Sequence, residues 1–193
     1  NKKQQVWPLN IRSCVLRKSL VYMVEVMSCL GMGADLNAVD KAMTSFGFPV
    51  GPITLADEVG IDVAAKIVPN LAEELGVRTE GATTAPFDDL LSQGLLGKKS
   101  GGGFFSYDKK GKRGGINSEA QAVVKKYQEA GHTTPTTEEI QERCSSRFAL
   151  EAAFCLQDEV IESPMHADVG AVFGVGFPPF LGGPMRMIDS IGV

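Results

Sequence analysis

The stretch GFPVGPITLADEVG (residues 47–60) returns later in the chain as GFPPFLGGPMRMIDSIG (176–192). The first copy orders Gly47, Phe48, Pro49, Gly51, Pro52, Asp57 and Gly60; the second orders Gly176, Phe177, Pro178, Gly183, Pro184, Asp189 and Gly192. Upstream, Arg17, Glu25, Cys29 and Leu30 stand in step with Arg143, Glu151, Cys155 and Leu156. The offset grows from 126 (Arg17 to Arg143) through 129 (Gly47 to Gly176) to 132 (Gly51 to Gly183). Helices that keep their register while the loops between them differ in length give such a drift. Self-similarity on this scale governs architecture and is read before any single motif. It predicts a chain of two related halves.

Periodicity within each half predicts helices. Val15, Leu20, Val24, Met27 and Leu30 form an apolar stripe over residues 12–30, after an irregular polar start, and Gly31 and Gly33 end it. Asp35 is placed to cap a second helix carrying Val39, Ala42, Met43 and Phe46 on one face, which Gly47 stops. Pro52 suits a first helical position. A helix over 61–75 contains Pro69, predicted to bend or interrupt it, and a short helix follows over 86–93. Residues 104–107 (FFSY) are the one strand-like run. Beyond a helix over 119–130, Thr136 and Glu139 form a capping box that opens a helix to about residue 162, and Ser163-Pro164 start another. Strands and helices do not alternate, so the reading is all-α, two homologous helical halves with no Rossmann sheet.

Composition narrows the function classes. A formal net charge of −4 gives no electrostatic reason to expect nucleic acid as a partner. The basic run KKGKR (109–113) reads as a solvated loop tip. No apolar stretch is long enough to form a transmembrane segment, and the first residues show no signal-peptide or other targeting layout. Cys14, Cys29, Cys144 and Cys155 lack C-x-x-C spacing and read as buried, reduced thiols; no metal site is expected. GKKS (97–100) is no phosphate loop, because Ser92 stands where the leading glycine is required. Gly31-Met32-Gly33 and Gly174-Val175-Gly176 lack the third glycine of a dinucleotide fingerprint. His166 and Asp168 are two apart on a predicted helix and do not face each other, and His132 lies in a loop with no carboxylate close in sequence. Asp57 and Asp189 hold matching places. They read as one site on each half or, preferably, as carboxylates binding backbone N–H groups at helix ends.

Three segments together carry a family resemblance: GFPVGPITLADEVGID (47–62), LLGKKSGGGFFSYD (95–108) and DVGAVFGVGFPPFLGGPMRMIDSIG (168–192). They resemble the C-terminal region of multifunctional fatty-acid β-oxidation enzymes, the mitochondrial trifunctional protein α subunit and its bacterial counterparts, over about residues 22–193. The resemblance implies tandem copies of the C-terminal domain of an NAD-dependent L-3-hydroxyacyl-CoA dehydrogenase. A divergent segment 1–21 would precede a first repeat (22–115), a connecting helix and linker (116–135) and a shortened second repeat (136–193). The first copy would border the acyl-CoA cleft through Phe48, Pro49, Gly51 and Pro52, with the second supporting it.

The same resemblance implies that NAD and the catalytic His–Glu pair reside in an upstream NAD-binding domain. This chain would then hold no catalytic residue, bind no cofactor and be inactive alone, serving a 3-hydroxyacyl-CoA substrate only in the intact enzyme. The family places an Asn-Arg pair at the start of the first helix; aligned without a gap, Arg17 matches and Leu16 stands at the asparagine position, while a shifted alignment would use Asn10 at the cost of disrupting the helix. Location would be mitochondrial in a eukaryote and cytoplasmic in a bacterium. Two other readings stand beside this one. A non-catalytic helical assembly module would pair with itself as a homo-dimer or with a full-length enzyme through its two-fold helical surface; separately, exposed apolar surface near Ile188 and Ile191 would await missing chain or a partner. An acyl-chain or CoA carrier would use the apolar segment 48–55.

Overall fold

A computed structural model describes residues 2–79 and 85–192 of the chain. Asn1, residues 80–84 and Val193, which fall within the predicted segments 1–21, 22–115 and 136–193, lie outside the described residues. The order of elements is α1 (Lys2–Gly31), α2 (Leu36–Phe46), α3 (Pro52–Val59), α4 (Ile61–Leu75), α5 (Ala85–Ser92), β1 (Phe105–Tyr107), β2 (Arg113–Ile116), α6 (Ser118–Lys126), α7 (Thr137–Gln157), α8 (Pro164–Val175) and α9 (Pro184–Ile191). None of the described helices is long and apolar enough to cross a membrane.

Most predicted boundaries hold, several with the expected cap. Asp35 accepts the backbone N–H groups of Asn37 (2.8 Å) and Ala38 (3.3 Å), and Gly47 closes α2 at φ 122°. Thr136 and Glu139 complete a reciprocal capping box on α7. Pro52 and Pro164 open α3 and α8, although Ser163 makes no side-chain cap.

Four expectations need correction. The chain is mostly helical but not all-α, because β1 pairs with β2 in an antiparallel hairpin. β2 has no alternating apolar pattern; Gly114 lies so close to Ser106 that a Cβ would come within 2.6 Å of its hydroxyl, so glycine is what lets the strands approach. Helix α1 begins at Lys2, not near residue 12, since Lys and Gln are good helix formers despite their polarity. Pro69 does not interrupt α4: Val68 and Leu75 on either side pack with Leu20 and Val21 of α1 and hold the helix across it. α7 ends at Gln157, because Glu159 adopts φ 56° and turns the chain so that Ile161 is buried.

Helices α1 and α7 run antiparallel, with Cys14 beside Cys155, Cys29 beside Cys144 and Glu25 bonded to Arg143 at 2.6 Å. Tyr22 and Phe148 meet edge-on in this seam at 6.1 Å. The α2–α3 turn adds Phe48, stacked on Tyr22 at 5.4 Å, and the α8–α9 turn adds Phe177, 5.2 Å from Phe148. Phe48 and Phe177 close the set at 5.7 Å. Each ring buried here contributes about 1.5–3 kcal/mol from area alone.

The two turns also make parallel arrangements. Asp40 of α2 accepts the N–H of Ile53, second residue of α3, at 2.8 Å; Asp168 of α8 accepts the N–H of Met185, second residue of α9, at 2.7 Å. A Cβ on Gly51 would come within 2.3 Å of Asp40, and one on Gly183 within 2.4 Å of Asp168. Gly47 would meet Pro178 at 3.1 Å and Gly176 would meet Pro49 at 2.6 Å. Gly51→Ala must therefore displace the aspartate that caps α3. It is expected to lower unfolding free energy in urea by about 2 kcal/mol or more. Gly115→Ala, which meets nothing within 4 Å, is expected to change it by less than about 0.5 kcal/mol.

Candidate functional site

The four residues read as substrate-lining occupy one turn, but in unlike surroundings. Phe48 is buried in the aromatic junction, Pro52 is buried at the first position of α3, and Gly51 is buried against Asp40. Pro49 is exposed at the apex, above Gly176. Only Pro49 offers surface to a ligand in this arrangement; the other three fix the turn's shape.

The start of α3 is not an open anion site. Asp40 takes the N–H groups of Ile53 (2.8 Å) and Thr54 (3.3 Å) and the Thr54 hydroxyl (2.5 Å). Arg113 donates to the same carboxylate at 2.8 Å, to Asn37 Oδ1 at 2.9 Å and to Thr54, and its guanidinium lies 3.5 Å from the centre of the Phe105 ring. The run 109–113 is thus more than a solvated loop tip: its last residue reaches back to the α2–α3 junction. Sequence spacing carried no signal for a pair 73 residues apart.

Asp57 and Asp189 do not share a job. Asp57 is buried and accepts the N–H groups of Phe104 and Phe105, each at 2.9 Å, and the Tyr107 hydroxyl at 3.1 Å. It latches the hairpin onto α3 rather than capping a helix end. Burial outweighs these bonds and raises its pKa above the usual carboxylate value. Asp189 is exposed on α9 and makes no hydrogen bond among the described residues. The carboxylates that bind helix-start N–H groups in both copies are Asp40 and Asp168.

The remaining candidates are also partnered. Lys98 pairs with Glu58 at 3.1 Å and Lys99 with Asp62, so GKKS is a tied-down turn. His132 does have a carboxylate nearby, Glu129 at 2.9 Å, three residues earlier. Leu16 is exposed on α1, and Arg17 beside it pairs with Glu74 and with Asp158 (3.5 Å). The described sheet is one short antiparallel hairpin, which offers no glycine turn between strand and helix for a dinucleotide, so the residues present do not fit NAD.

The fold leaves two grooves open. A groove of about 480 Å³ runs along α1 past Met23, Met27, Val68, Phe87 and Tyr127, with Arg143 at its edge. A second, about 530 Å³, lies between α8 and α9 beside Val169, Phe173, Met185 and Arg186. The first groove is also lined by His132 and Glu129, 2.9 Å apart, and the second by Asp168 and Asp189. Apolar side chains make up most of the first groove's wall, with this exposed His–Glu pair among them.

Known proteins match the chain in both sequence and fold. Residues 14–107 match the family model described as "3-hydroxyacyl-CoA dehydrogenase, C-terminal domain". They belong to that family. The matched 3-hydroxyacyl-CoA dehydrogenase segment starts in α1 and ends at Tyr107, so it takes in the capped turn, Asp57 and the strand that Asp57 holds. Over 99% of its length the chain is 43% identical to the fatty acid oxidation complex subunit alpha of Shewanella amazonensis, and over 100% it is 41% identical to that of Idiomarina loihiensis. It spans about a quarter of each, 27%. Among solved structures, the dehydrogenase part of multifunctional enzyme 1 from C. elegans superposes with a TM-score of 0.66 at 25% identity, covering 91% of this chain and 40% of that one. The 3-hydroxybutyryl-CoA dehydrogenase of Escherichia coli shares the fold, with a TM-score of 0.69 at 20% identity over 92% of this chain and 52% of its own.

The Arg113 contacts generate a prediction. Arg113→Ala leaves Asp40, only 5% exposed in its side chain, without its cation. Thermal unfolding is expected to show a loss of about 1–2 kcal/mol, reduced from the fully buried case because Arg113 is itself about one-third exposed. Arg113→Lys should recover less than half of that loss, since one ammonium cannot reach Asn37, Asp40 and Thr54 together as the guanidinium fork does.

Proposed function

We propose that this chain is the C-terminal portion of an NAD-dependent L-3-hydroxyacyl-CoA dehydrogenase of fatty-acid β-oxidation. The observation that carries the reading is the family match over residues 14–107, joined to 43% identity along 99% of the chain with a fatty acid oxidation complex subunit alpha. In this reading NAD and the proton-accepting pair belong to an NAD-binding domain outside the chain. The chain's own turn, with Pro49 at its apex and Phe48, Gly51 and Pro52 beneath, borders the cleft for the 3-hydroxyacyl-CoA. In this reading the acceptors of the hydroxyl proton and of the hydride both belong to that other domain, so the chain is inactive alone.

The proposal includes two homologous halves, residues 22–115 and 136–193, joined by 116–135 and preceded by 1–21. Several contacts support it. Tyr22 and Phe148, Phe48 and Phe177, Asp40 and Asp168, and Gly51 and Gly183 form corresponding pairs with corresponding roles. The Gly47–Pro178 and Gly176–Pro49 approaches are reciprocal, as expected when one half packs on the other across an approximate two-fold.

One observation favours a second reading, an assembly module. α8 buries Ala167, Gly170 and Ala171 on one face yet exposes Met165, Val169 and Phe173 (86% exposed) on the other. Such a stripe fits a surface for a homo-dimer or for a larger β-oxidation enzyme. Sedimentation across the micromolar range separates the readings, a strict monomer removing the homo-dimer.

Activity is tested with acetoacetyl-CoA and NADH. The isolated chain is expected to show no turnover above background. A fatty acid oxidation complex subunit alpha whose corresponding segment is replaced by this chain is expected to retain dehydrogenase activity. Turnover by the chain alone would overturn the assignment of chemistry to another domain, and a folded but inactive hybrid would overturn the family function.

A further inference from the structure

Corresponding helices of the two halves are finished differently. α3 and α9 each run for eight residues from a proline that follows glycine, and each carries an aspartate at its sixth position, Asp57 and Asp189. α2 and α8 align from their N-terminal caps, Asp35 and Ser163. That alignment sets Asn37, Asp40, Lys41 and Ser45 against Met165, Asp168, Val169 and Phe173.

In the first half the hairpin fills the space beside these helices. The N–H groups of Phe104 and Phe105 end on Asp57, each at 2.9 Å, and Arg113 reaches Asn37, Asp40 and Thr54. The strand comes in so closely that a Cβ on Gly103 would collide with the Asp57 carboxylate. Asp57 is buried as a result.

The matching place in the second half is open. A groove of about 530 Å³ lies between α8 and α9, with Asp168 and Asp189 on its wall. Asp189 is exposed and makes no hydrogen bond among the described residues. Where α2 turns Asn37, Lys41 and Ser45 outward, α8 carries Met165, Val169 and Phe173, all three exposed. An apolar row at positions that are polar in the sister helix marks a surface meant to be covered. Arg186 stands at the place of Thr54 and lines the groove, so an occupant bringing its own arginine there would meet like charge.

We propose that the groove between α8 and α9 is the seat of an extended strand from outside these 193 residues, which donates two successive backbone N–H groups to Asp189 and lays apolar side chains over Met165, Val169 and Phe173. The two surfaces are complementary in charge: Asp189 is an acceptor without a donor, and an unpaired strand is a row of donors. A second copy of this chain is not the occupant, because its matching strand, β1, is already held by its own Asp57. The seat follows from the correspondence of the two halves proposed above. Its test uses neither acyl-CoA nor NADH, so it can fail while the dehydrogenase assignment stands, and the reverse.

The probe is the peptide Gly-Gly-Gly-Phe-Phe-Ser-Tyr-Asp, the sequence of residues 101–108, added to the chain with carbon-13-labelled methionine methyl groups. Saturable shifts are expected at Met165 and Met185, which line this groove, and none at Met23, Met27 and Met32, which line the other. Asp189→Ala should weaken binding about tenfold or more, and so should N-methylation of both phenylalanines of the peptide, because each change removes the same two bonds. Phe173→Ala should weaken it about fivefold or more. Asp189 and Phe173 are both exposed, so neither substitution disturbs the core. No saturable shift at millimolar peptide, shifts confined to the other groove, or unchanged affinity after Asp189→Ala or N-methylation would each overturn the proposal. A chain that sediments as a dimer, with the Met165 signal moving on dilution, would also overturn it by making this face an interface between copies.

Discussion

The junction of Tyr22, Phe48, Phe148 and Phe177 is the contact on which the rest of the structure depends. It lies where the α1–α7 seam receives the two Gly-Phe-Pro turns, one from each side. Long helices alone fix a seam but not the direction in which the chain leaves it. A phenylalanine next to a glycine of positive φ does both: Gly47 and Gly176 reverse the chain, and the ring that follows is driven into the seam. With the rings in place, α2 and α3 are set on one side and α8 and α9 on the other.

Carboxylates then convert packed helices into a rigid surface. Asp40 and Asp168 fix the angle between consecutive helices by accepting N–H groups that a helix start leaves unsatisfied. Asp57 performs a different task by holding the hairpin through two N–H groups and a phenol, and Arg113 at the hairpin's far strand returns to Asp40. The first half is therefore closed by its hairpin into a ring of bonds that runs from α2 through α3 and β1 to β2. The second half has the Asp168 cap but an exposed Asp189 and an uncovered apolar face on α8. The proposed function would give these two unequal segments unequal duties.

Much of the fold was legible because its signals are local. Caps at Asp35 and Thr136, proline at the first positions of α3 and α8, and glycine stops all act within a few residues, so their spacing announces them. The failures have a common cause. β2 forms because β1 is there to pair with it, Pro69 is tolerated because α1 packs along α4, and Arg113 is anchored by acceptors that lie far off in sequence. Of the four turn residues assigned to substrate, three are buried and only Pro49 is exposed, a difference that sequence spacing does not carry. Lys18 gave no signal at all, since a lysine in an amphipathic helix is ordinarily read as solvated.

By itself, the sequence determined the helical class, the repeated turn and the family resemblance, because periodicity, glycine stops and proline starts are properties of short segments. Tertiary structure decided which charges are working parts. Asp40 rather than Asp189 shares its role with a second aspartate, Arg113 is structural, and Lys18 is buried with its ammonium on the Ala167 carbonyl. Those outcomes depend on desolvation and on partners brought from remote positions. Neither quantity exists until the chain has folded.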